Sequence, residues 1–189
     1  MNLASTTLKI FVFSFIIISL FSCGKRKQRD VKKLNWYEIT TEARGDEVRI
    51  LVPSEELEAW KRVFPTKEDS LLLRLNMNVR FEGYSSTAIL DSLKSSTTAS
   101  LVALRGEELK TAMNKYLIFG QFDLLMPAGK AFSANKAASG DYQSSEYQGF
   151  AIPIMANPSD SLESAYFAIP NEAECKAGTL VLLNEILSR

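Results

Sequence analysis

From residue 34 onward, apolar positions switch repeatedly between the two-residue spacing of strands and the three-to-four-residue spacing of helices, which predicts one layered α/β domain over residues 34–189. Leu34 to Thr41 and Glu47 to Val52 are rich in β-favouring residues, and the turn signal Ala43-Arg44-Gly45-Asp46 separates them. Pro53 and Ser54 open a helix with Glu55 and Glu56 in its first turn and Leu57, Trp60 and Phe64 on one face. Lys61 and Arg62 precede Pro65, so both ends suit the helix dipole. Leu71 to Phe81 reads as a second extended run closed by Glu82-Gly83-Tyr84-Ser85-Ser86, and Thr87 to Lys94 as a helix carrying Ile89, Leu90 and Leu93. Ala99 to Leu104 is strand-like, Gly106 to Tyr116 helical, and Leu117 to Met126 a further buried strand ended by Pro127. Ala128 to Gly149, small and polar, predicts a long surface loop. Strands follow at Phe150 to Met155 and Ala165 to Ile169. A last helix then opens on the capping box Pro170-Asn171 with Glu174, and Leu180, Leu183 and Leu187 form its apolar stripe.

The first thirty residues follow another pattern. The apolar run Ile10 to Phe21 spans roughly 18 Å as a helix, against a hydrocarbon core of about 30 Å, so it is short for a permanent membrane span. It ends in Leu20-Phe21-Ser22-Cys23-Gly24, which resembles the signal peptide and lipobox of a bacterial lipoprotein. The resemblance implies that residues 1–22 are removed, that Cys23 carries a thioether-linked diacylglycerol, and that the new amino terminus is acylated, for example with palmitate. It places the domain in the cell envelope, anchored to a membrane by lipid. Gly24 stands where Asp would signal retention in the inner membrane, which leans the choice to the outer one. Residues 23–33, with Lys25, Arg26, Lys27, Arg29, Lys32 and Lys33, read as a solvated basic tether beside the head groups.

Composition narrows the chemistry by what it lacks. With 22 basic and 22 acidic residues the net charge is zero, and nothing points to nucleic acid. The absence of histidine excludes Ser-His-Asp and Cys-His catalysis and histidine-ligated metals. With Cys23 lipidated, only Cys175 remains, so no internal disulfide forms. Cys175 falls in the predicted first turn of the last helix, where the dipole lowers a thiol pKa, but no basic partner accompanies it and it reads as a small structural residue. Ser133 and Lys136 match the Ser-x-x-Lys of serine acyltransferases in a loop where that family has a helix, and neither companion motif is present. Glu55-Glu56 and Glu107-Glu108 are explained by their places in helix first turns. No enzyme, cofactor or metal site is expected.

One constellation is left. Val48-Arg-Ile-Leu-Val-Pro53-Ser54 sets a hydroxyl at the end of a buried strand and the start of a helix, and Val79-Arg-Phe81-Glu-Gly83-Tyr-Ser85-Ser86-Thr87 repeats the design. In a parallel sheet two such turns emerge at one edge, where hydroxyls and free N–H groups converge on an anion; taken singly, the same serines are helix caps. The segment from Glu47 to Pro127, with the closing helix Asn171 to Ser188, resembles one lobe of the type 2 periplasmic solute-binding proteins, in particular the molybdate-, tungstate- and phosphate-like group. It departs from them at Ala99-Ser100-Leu101-Val102, where they have Ala-Asp-Val, at Tyr84, and in having the loop 128–149 in place of a second lobe. The resemblance implies ligand contacts from Ser54, Ser85, Ser86 and Thr87 to a small oxyanion. The alternative function is an accessory lipoprotein that docks to an envelope protein partner and holds no small molecule.

Overall fold

The computed structural model describes residues 29–65, 69–95, 98–131, 149–154 and 165–189, and it shows the layered α/β architecture. A five-stranded sheet runs in the order β2-β1-β3-β5-β4, with β1 at Glu47–Pro53, β2 at Asn78–Tyr84, β3 at Leu101–Leu104, β4 at Ile152–Ile154 and β5 at Ala165–Ala168. β1 is parallel to β2 and β3, whereas β5 is antiparallel to β3 and β4. The helices are α1 at Trp36–Glu42, α2 at Leu57–Val63, α3 at Ser70–Leu75, α4 at Ser86–Lys94, α5 at Gly106–Asn114 and α6 at Lys176–Ser188.

Burial on both sides explains why the central strands read as nearly continuous apolar runs. On one face Val48, Ile50, Val52, Leu101, Ala103 and Phe167 pack against α1, α2, α3 and α6. On the other, Leu51, Val102, Leu104 and Ala168 meet Ile89 and Leu93 of α4 and Leu109 and Ala112 of α5. Trp60 and Phe64 anchor the first face: Trp60 meets the Phe167 ring edge-on at 4.9 Å, and Phe64 lies 5.1 Å from the same ring.

Several predicted elements are corrected. Leu34 to Thr41 is no strand: Asn35 and Glu38 form a reciprocal capping box that starts α1. Val31, within the stretch read as tether, is buried in the core, and Val31–Lys33 is a 3-10 turn. The run from Leu71 is divided. Asp69 caps α3 and Asn76, at φ 51°, ends it in the left-handed conformation, so β2 begins only at Asn78.

Leu117 to Met126 is not a strand either. Ile118 makes an isolated bridge to Pro170, and Asp123–Leu125 is a 3-10 turn. Residues 127–131 are helical, so the first four residues of the expected loop, 128–131, are not loop, and the rest of it up to residue 148 lies outside the described residues. The capping box expected at Pro170 does not start a helix. Asn171 Nδ2 instead donates to the Tyr116 carbonyl at 2.5 Å, and α6 begins at Lys176 behind an N-cap, Cys175, that makes no side-chain capping bond. No helix among the described residues is long and apolar enough to cross a membrane.

Candidate functional site at the carboxyl edge of the sheet

The register aligns three strand-to-helix turns at one edge. Pro53 pairs with Tyr84 across β1 and β2, so Ser54 and Ser85 each follow by one residue. Ile50 pairs with Leu101 and Leu51 with Val102; the same register carried forward sets Arg105, the residue after β3, beside Ser54. The turn between β2 and α4 lies directly against Ser54, because a Cβ on Gly83 would stand 3.0 Å from Ser54 Cα and 3.1 Å from its Oγ. Gly83 is therefore needed for close approach rather than for an unusual φ.

Each predicted hydroxyl has a definite place. Ser54 is exposed as the first residue of the 3-10 turn Ser54–Glu56, whose N-cap is Pro53. Ser85 is exposed and caps α4, its Oγ accepting from Ala88 N at 3.3 Å and lying 3.2 Å from Thr87 Oγ1. Ser86 is the half-buried first residue of α4, and Thr87 is exposed. The structure thus brings the four hydroxyls to one edge; Ser85 also has the capping role, which Ser54 does not. Cys23, Ser133 and Lys136 lie outside the described residues.

The sequence reading missed the charged pair at this edge. Glu56, assigned there to favourable dipole placement, is 2% exposed. Its Oε1 accepts from Arg105 Nη2, and its Oε2 accepts from the buried Trp60 Nε1 at 2.8 Å. Arg105 precedes α5, where Glu108 Oε2 accepts from its backbone N–H at 2.8 Å. A signal for Arg105 is present in the sequence, since Leu101-Val-Ala-Leu104-Arg105-Gly106 is a third strand ending in a polar residue before a helix. The partnership with Glu56 spans 49 positions and only the fold reveals it.

A second polar feature occupies the α4 and α5 face of the sheet nearer its amino edge. A concavity of about 400 Å³ is lined by Glu47, Arg49, Arg80, Glu82, Thr98 and Cys175, among others. Arg49 and Arg80 are direct cross-strand neighbours, a repulsive placement that Glu82 offsets by accepting from Arg49 and pairing ionically with Arg80 at 3.0 Å. Arg49 grips it with two bonds, Nε to Oε1 at 2.8 Å and Nη2 to Oε2 at 2.5 Å, and Tyr84 OH donates to Oε2 at 3.1 Å. The cluster is internally satisfied, which fits a structural role.

The Arg49 bonds hold the Glu82 carboxyl below its ordinary value of 4.5, and the Arg49 pKa rises in turn. Because the folded-state value of Glu82 is the lower one, its contribution to stability is present above the unfolded value and is lost as pH falls through the folded one. Glu82→Gln is therefore expected to destabilise the chain at pH 7 and to cost progressively less as pH falls below the unfolded value of 4.5, which denaturant titrations over that range would show. Cys175 does not fit the activated-thiol pattern: burial first, then the charge of Asp46, pushes its pKa up to about 11.

No family model matches the sequence, and no curated protein matches it either. Among solved structures, a chain described as the substrate binding domain of a molybdenum ABC transporter from Clostridium difficile superposes with a TM-score of 0.43 at 8% identity, over 76% of this chain and 93% of that one. At that score the likeness carries no argument about what this chain does.

Proposed function

We propose that this chain is a lipid-anchored envelope protein whose domain takes a small oxyanion at the carboxyl edge of its sheet, using Ser54, Ser85, Ser86, Thr87 and nearby backbone N–H groups. The supporting observation is the juxtaposition of two hydroxyl-bearing turns, with Gly83 pressed against Ser54. The reading is of a binding protein rather than an enzyme, with the fold of a single solute-binding-like lobe among the described residues.

Calorimetric titration of the full chain in detergent with phosphate, sulfate, molybdate and tungstate tests it. Ser54→Ala is expected to weaken binding about tenfold or more, the loss of one hydrogen bond to a charged group. Its effect on stability is expected to be small, because Pro53 and not Ser54 holds the N-cap position of that turn and Ser54 is exposed. Ser85→Ala is expected to weaken binding as well and to cost about 1 kcal/mol of stability through its cap on α4. If the parent chain takes up none of these anions at millimolar concentration, the accessory reading, an envelope protein partner and no small ligand, replaces this one.

The anchor is tested separately. Lipid attaches through the Cys23 sulfur, so Cys23→Ala is expected to abolish incorporation of labelled palmitate and release the domain from the membrane fraction. Full labelling of the variant would refute the anchor.

A further inference from the structure

The sheet opens at the point where Glu56 and Arg105 meet. β1 sends its chain to the α2 face and on towards β2, whereas β3 sends its chain to the α5 face and on towards β4. The connections from the carboxyl ends of these neighbouring strands therefore leave to opposite faces, and it is at the crevice outside such a switch point that open α/β sheets take ligands. The Glu56–Arg105 ion pair joins the two turns there. The carboxylate is closed off at 2% exposure, while the Arg105 side chain, at 30%, is reachable from solvent. Both carboxylate oxygens receive N–H donors, one from the guanidinium and one from the indole of Trp60. A buried ion pair adds little stability compared with apolar side chains of similar volume, so packing alone does not call for one here.

We propose that Glu56 is an internal stand-in for a ligand: its carboxylate fills a subsite formed by Arg105 and Trp60, and a small carboxylate solute takes its place there. The donor set fits that class. The planar fork of arginine matches a planar carboxylate, and an indole N–H can only donate, so the site offers donors to both oxygens and needs no proton from the ligand. This rests on the reading of the carboxyl edge as a solute site and narrows its ligand from oxyanions in general to carboxylates. Because the internal carboxylate competes for the same donors, it lowers the apparent affinity for an external one, and removing its charge raises that affinity.

Trp60 reports on the exchange. With Trp36→Phe it is the remaining tryptophan of the two in the chain. In the full chain in detergent, acetate or succinate is expected to change Trp60 fluorescence and to move its indole N–H resonance. Glu56→Gln, which keeps an oxygen for the indole, is expected to bind these carboxylates about tenfold or more tightly. Arg105→Lys, which keeps the charge and loses the fork, is expected to lose them. An unchanged Trp60 signal in the parent chain at tens of millimolar carboxylate overturns the proposal, and that measurement stands even if the Glu56 variant does not fold. Equal affinity of parent and Glu56→Gln overturns it too. If phosphate binds and depends on Ser54 while Glu56→Gln changes nothing, the edge site stands and the stand-in fails. If carboxylates respond to Glu56 and Arg105 but not to Ser54→Ala, the stand-in holds and the hydroxyl-based site fails.

Discussion

Trp60→Ala is expected to destabilise the domain by about 3–5 kcal/mol, a large share of the stability of a domain this size. Trp60 is fully buried, and it holds the α2 helix to β5 through the Phe167 ring. Deleting the indole leaves a cavity between two layers and also strips the buried Glu56 Oε2 of its donor. Trp60→Phe separates the two losses, since it keeps most of the volume and removes only the N–H; it should cost markedly less. Urea titrations of both variants give the comparison. Near-equal costs would mean that the hydrogen bond, not the packing, is what Trp60 supplies.

Arg105→Met is expected to cost about 3 kcal/mol, the low end for breaking a buried pair because the guanidinium is partly exposed. Much of that cost comes from the buried carboxylate it leaves behind. Adding Glu56→Gln should therefore recover much of the lost stability, and the double-mutant cycle should show strong coupling. Additive effects would mean that the two residues act independently in the folded chain.

The elements that the sequence predicts correctly are those with a continuous apolar run between clear turn signals or with ends that carry unambiguous signals. β1, bounded by Gly45-Asp46 and Pro53, is of the first kind and α4, capped by Ser85 and closed by Lys94, of the second. α1 was misread because Trp36, Tyr37, Ile39, Thr40 and Thr41 favour strands, while the decisive capping pair, Asn35 and Glu38, lies at the rim of the segment. α3 hid in the run Leu71-Leu72-Leu73. Leu72 is buried, Leu73 is 67% exposed, and so many consecutive leucines show no period. Between Leu117 and Met126 the apolar composition suggested a strand, but Gln121 at φ 61° turns the chain within it. The stripe Leu180, Leu183 and Leu187 does face the core, but α6 is also buried at every position from Ala177 to Leu183, more than a single stripe indicates. Gly178 lets it approach β1, its N–H donating to Asp46 Oδ2 at 3.0 Å. At the candidate site the repeated strand-hydroxyl-helix design was legible because it is local. The partnership of Glu56 with Arg105 was not, because it depends on which strands become neighbours.

The amino-terminal segment enters the domain at the opposite end from the crevice. Lys32 lies 4.7 Å from the Phe119 ring, Phe119 N donates to Ile169 O, and Arg29 Nε reaches Glu42 Oε1 at 2.8 Å, all near the amino ends of the parallel strands. In a chain anchored through Cys23, the length of the sheet, roughly 20 Å for the seven residues of β1, therefore separates the entry point from the crevice. That length exceeds the Debye length of about 8 Å at physiological salt. In such an anchored chain the negative potential of lipid head groups at the entry point would be largely screened at the carboxyl edge, which would meet anions at nearly their bulk concentration.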